Sequence, residues 1–166
     1  MLKKMLLPTL LCMSIGSSFA SDWETHTASW AEDNPLSTLT FKIKGEDLST
    51  TTAIGAEITH SNQGTQRLYL NFVKMNEADS CDPDNTPNKV TVRVNSQPIS
   101  MYQTCHLEKG MSLLQTTALS DKGIEFIINA FRNSSDTVRI EYGAFEANLP
   151  AIGFTKAWNS AGGDAL

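Results

Sequence analysis

The chain has 166 residues, of which 13 are Lys or Arg and 18 are Asp or Glu, for a net charge of −5. This acidic balance speaks against nucleic acid and anionic membranes as partners, because both demand basic patches. It favours a neutral ligand, a cation or a basic protein partner, on a chain long enough for one domain with its own core.

Residues 1–20, "MLKKMLLPTLLCMSIGSSFA", read as a signal peptide. Lys3 and Lys4 form the charged start, and the apolar run from Met5 to Ile15 is too short to span a bilayer, which takes about 20 residues. Ser18-Phe19-Ala20 supplies small residues for a peptidase, so cleavage is expected after Ala20, leaving one domain over 21–166. Cys12 lies inside the apolar stretch and lacks the small residues that precede a lipidated cysteine. Without Lys3 and Lys4 the 13 basic residues fall to 11 against 18 acidic ones, a net charge of −7. No second apolar run is long enough for a membrane span, and the expected location is periplasmic, with secretion as the alternative.

Alternating apolar and polar residues, the mark of half-buried strands, then recur along the chain. The rows are Leu39 to Lys44; Ile54, Ala56 and Ile58; Leu68, Leu70 and Phe72; Val90, Val92 and Val94; Ile99 and Met101; Met111 and Leu113; and Val138, Ile140 and Tyr142. Polar turns such as "HSNQGTQ" and "DPDNTPNK" separate them, and the expected fold is a mainly β, antiparallel sandwich of about seven strands. One helix interrupts the pattern near the C-terminal end. Ser120 is its N-cap, Leu119 is placed to staple against Ile124, and Ile124, Ile127, Ile128 and Phe131 share a face. A shorter helical turn is expected after Gly153, with Phe154, Ala157 and Trp158 inward. Trp23 and Trp30 are read as core residues, since tryptophan dominates buried area in small domains.

Two cysteines remain after export, Cys81 and Cys105, and an even count in an oxidising compartment reads as one disulfide. A reactive thiol is disfavoured, because the carboxylates around Cys81 would raise its pKa. The stretch "NEADSCDPDNTPNK" places Glu77, Asp79, Asp82 and Asp84 beside Cys81. These oxygens suit calcium in kind, but the glycine and late glutamate of an EF-hand loop are missing, and Asp, Asn and Pro also build turns. We read the stretch as a stapled, acidic, partner-binding loop, with no metal and no cofactor expected.

The C-terminal layout carries a resemblance. Met101-Tyr102-Gln103-Thr104-Cys105 leads through "LLQTTALSDKGIEFIINAF" to "TVRIEY" and then "LPAIGFTKAW", where Gly153-Phe154 precede Ala157. Over residues 99–162 this order resembles the invasion-associated locus B family of exported bacterial proteins. The resemblance implies a signal peptide, a disulfide-linked β domain, a helix before a late strand and no enzymatic reaction. The segment "DWETHTASWAED" departs from it, lacking the cysteine that usually follows the family's N-terminal tryptophan.

Catalytic signatures are missing from the sequence. His26, His60 and His106 sit on different segments without zinc spacing, and no nucleophile or phosphate-loop pattern occurs. The sequence therefore points to a non-enzymatic, periplasmic protein-binding module of the inhibitor type. Its general design is similar to the immunity proteins paired with type VI secretion effectors, which block a toxin or hydrolase acting on the envelope. The alternative is a secreted or surface interaction factor like invasion-associated locus B. An exposed sheet edge would also suit a homodimer.

Overall fold

The structure is a computed structural model that describes residues 23–43, 52–75, 81–86, 88–108 and 110–161. The expected signal peptide lies outside the described residues. Among the described residues nine strands form one antiparallel sheet: β1 (Trp23–Ala28), β2 (Leu36–Ile43), β3 (Thr52–His60), β4 (Gln66–Met75), β5 (Lys89–Val94), β6 (Gln97–Glu108), β7 (Met111–Ala118), β8 (Thr137–Tyr142) and β9 (Phe145–Pro150). Helix α1 (Asp121–Asn133) joins β7 to β8, and helix α2 (Phe154–Ser160) follows β9. The strand order is β1-β2-β3-β4-β7-β6-β5-β8-β9.

The sheet curls until it is nearly closed into a barrel, which corrects the expected seven-stranded sandwich. A sandwich needs two separate sheets. Here the β4–β7 ladder, from Leu70↔Thr116 to Met75↔Met111, welds the first four strands to the rest. The two ends of the sheet then approach one another, β9 lying against β2 and β3. Side chains bridge the seam where a backbone ladder would close a complete barrel. Ser37 Oγ and Trp30 Nε1 both donate to the Pro150 carbonyl, at 3.0 and 2.8 Å. Ser37 is fully buried there, so its hydroxyl needs this acceptor.

Inward rows from each strand fill the interior, as alternation dictates. Ile54, Ala56 and Ile58 of β3, Leu68, Leu70 and Phe72 of β4, and Val92 and Val94 of β5 are buried. Strand β7 departs from expectation. Met111 and Leu113 are only half-buried, while Ser112, Thr116 and Ala118 point inward and are buried. The large neighbours Phe72 and Met101 already occupy the interior, so small residues fit, and Thr116 Oγ1 is satisfied by donating to the Leu70 carbonyl at 3.2 Å.

Aromatic residues close the helical end. Trp30 meets Phe131 of α1 and Phe154 of α2 edge-on, with ring centroids 5.7 and 5.1 Å apart. Trp30 thus has the core role read from the sequence, whereas the Trp23 side chain lies outside the described residues. Ser120 caps α1 by accepting from the Gly123 N–H at 3.1 Å, and Ile127 and Phe131 are buried beneath it. Ile124 and Ile128 pack at the margin of the core, while Leu119 remains exposed. Gly153 enters α2 at φ +90°, with the Trp30 carbonyl only 2.4 Å from where a Cβ would sit. At the far end Phe72 packs against Tyr142 and Phe145, with centroids 4.8 and 5.5 Å apart.

Candidate functional site

The expected disulfide is present. Cys105 lies on the inward face of β6 and is buried, and Cys81, half-buried, bonds to it across 24 positions of sequence, with Cα atoms 6.0 Å apart. The bond pins the segment that leads into β5 to the wall of the barrel. Beyond it the chain turns immediately, and Asp82 builds the turn. Its backbone carbonyl accepts from the Asn85 and Thr86 N–H groups at 3.2 and 2.7 Å. Its carboxylate accepts from the Asn85 side-chain amide at 2.5 Å and from the Asp84 N–H at 2.9 Å. The Asn85 amide, and then the Asp84 N–H, hold this carboxylate below its usual pKa.

The acidic residues of this stretch therefore differ in role. Asp82 is exposed, but its oxygens are engaged in the turn, as Asx residues commonly are. Asp84 is exposed at the tip and contributes its N–H to the turn, which leaves its carboxylate toward solvent. Glu77 and Asp79 lie outside the described residues. Among the described residues no group of three or more His, Cys, Asp or Glu side chains is placed to hold a metal ion.

A second feature was not read from the sequence. On the outer face of the sheet, over β4, β7 and β6 and bordered by the end of β3, lies a groove of about 550 Å³. Arg67 and Tyr69 of β4, Tyr102 and His106 of β6, Gln115 of β7 and His60 of β3 line it. Apart from His60, which ends the inward row of β3 beyond the core, they are outward partners of the inward rows, and the alternation that buries Leu68 and Leu70 turns Arg67 and Tyr69 outward. His60 and His106, far apart in sequence, share this surface, with the His106 ring 3.0 Å from Thr104 Oγ1. The available signal was the pair Tyr69 and Tyr102, large aromatics flanked on their outward rows by Arg67 and Asn71 and by Ser100 and Thr104.

No protein-family model matches the chain, and no curated protein or solved structure matches it significantly. Among the described residues no helix is long and apolar enough to cross a membrane.

Proposed function

We propose that the protein is an exported, non-enzymatic binding module of the inhibitor or immunity type, whose partner is a basic toxin or hydrolase acting in the cell envelope. The observation that carries the reading is the Cys81–Cys105 bond, which anchors an acidic turn to the buried face of β6. A tip ordered before binding loses less entropy on complex formation than a loose one. The acidic balance of the chain would steer a basic partner toward that tip, most strongly at low salt.

Affinity capture tests the reading. The tagged protein, residues 21–166, is presented to an envelope extract of its own organism and washed at rising salt. One basic envelope-acting enzyme, released by salt and inhibited by the protein, is the expected result. Recovery of no such enzyme would overturn the assignment. Asp84→Asn should weaken capture and flatten its salt dependence while leaving the melting temperature unchanged, because its carboxylate makes no contact within the turn.

One observation favours the alternative, an exported factor like invasion-associated locus B. Gly153, Phe154 and Ala157, which carry that resemblance, form a single structural joint. Gly153 passes over Trp30 in a left-handed conformation, and Phe154 and Ala157 are buried directly after it. Location separates the two readings: an immunity protein stays in the periplasm, and the alternative appears at the surface or in the medium.

A further inference from the structure

The groove over β4, β7 and β6 presents a concentration of unused hydrogen-bonding capacity. Among the described residues, Tyr69, Tyr102, Gln115 and His60 make no side-chain hydrogen bond, and Arg67 makes one, from Nη1 to the Ala118 carbonyl at 3.4 Å. Tyr69, Gln115 and Arg67 are half-buried, so a rigid sheet holds their polar ends in place. None of the lining residues is a carboxylate, on a chain with 18 Asp and Glu. The outer-face Glu57, cross-strand from Tyr69, instead accepts from the Asn71 amide at 2.8 Å.

These features select a ligand class. The lining sets hydroxyl, amide and imidazole groups beside the faces of two tyrosines, with Ala118 and Leu119 at one end. A sugar ring asks for an aromatic face for its C–H surface and side chains able to donate to or accept from its hydroxyls. The two tyrosines stand on strands separated by β7, about 10 Å apart at the backbone, a span that takes two consecutive rings. Arg67 adds a planar cationic fork suited to a carboxylate.

We propose that this groove binds a short acidic saccharide, with Tyr69 and Tyr102 beneath its rings, Gln115 and His60 on its hydroxyls and Arg67 on its carboxylate. The site is independent of the acidic loop, and the two assignments fail separately. The test is heteronuclear NMR titration of the purified exported protein with tetragalacturonate, sialyllactose and neutral maltotetraose. Shifts confined to the groove are expected with one or both acidic sugars, and which of them binds distinguishes an envelope-type uronate from a host-type sialoside. Arg67→Met should cost about tenfold or more in affinity for the acidic sugar. Tyr102→Ala, at a side chain 45% exposed and so tolerant of truncation, should also weaken binding, and Asp84→Asn should leave it unchanged. The proposal is overturned if no sugar shifts the groove residues, if the shifts fall elsewhere, or if maltotetraose binds as tightly and Arg67→Met makes no difference.

Discussion

At the scale of single residues, Gly153 and Asp82 show how little of a side chain's role its type announces. Gly153 is required twice over, by its left-handed φ and by the Trp30 carbonyl that crowds its missing Cβ. Gly153→Ala should therefore cost about 2–4 kcal/mol, from backbone strain and the displacement of Trp30. Urea denaturation measures it, and a loss under half a kilocalorie would mean that the joint yields freely. Asp82 makes a prediction in pH. Its carboxylate is held below the ordinary value by hydrogen bonds that form only in the folded turn. A depressed folded pKa gives stability that is complete above the unfolded value, about 3.9, and is lost as pH falls through the folded one. The melting temperature of Asp82→Ala should thus lie below that of the parent at pH 7, and the gap should narrow toward pH 3. A gap unchanged across that range would remove the ionised carboxylate from the account.

At the scale of elements, the disulfide ties a turn to a strand, and its contribution is mostly entropic in the chain-closure model. Replacing Cys81 and Cys105 together with Ser should lower stability by about 3.5 kcal/mol, given the loop it closes. Equilibrium unfolding of the oxidised parent against the double variant decides it, and equal midpoints would leave the bond without a stabilising role. The elements also show what could be read in advance. The seven rows of alternation fall on strands β2 to β8, apart from Lys44, which lies outside the described residues, and α1 was legible through its cap and its apolar face, because both signals are local. Strand β1 escaped because Thr25, His26 and Thr27 are exposed on both faces, so burial left no alternation to see. Strand β9 escaped although Phe145, Ala147 and Leu149 form an alternating inward row, because the small Ala147 weakens the signal and Pro150 ends the strand at once. The candidate site divides in the same way. Cysteine count gave the disulfide. The groove depends on which strands become neighbours, and that is a property of pairing between distant segments that no local pattern records.

At the scale of the whole molecule, the near-closed barrel turns on one carbonyl. Pro150 takes donors from Ser37 and Trp30 at the helical end of the seam. Toward the other end the seam stays parted, leaving an apolar crevice of about 360 Å³ between Phe41, Ile54 and Phe145. Ser37→Ala removes one donor and should cost about 1 kcal/mol. Amide exchange in β9 should accelerate with it, and exchange unchanged in β9 would show that Trp30 suffices to hold the seam.

The order of strands bears on how the chain reaches this arrangement. Most ladders join neighbours in sequence, and hairpins of that kind form quickly. The β4–β7 ladder does not; it pairs Met75 with Met111, 36 positions away. Once Cys81 and Cys105 are joined, the path between those two residues shortens to six positions on either side of the sulfur bridge. A threefold shorter path lowers the closure cost by about 1 kcal/mol. If that ladder is formed at the rate-limiting step, oxidation speeds assembly roughly fivefold. The bridge is then a shortcut on the folding route as well as a clamp on the finished barrel, and the redox poise of the compartment sets how long unpaired strand edges stay exposed to aggregation.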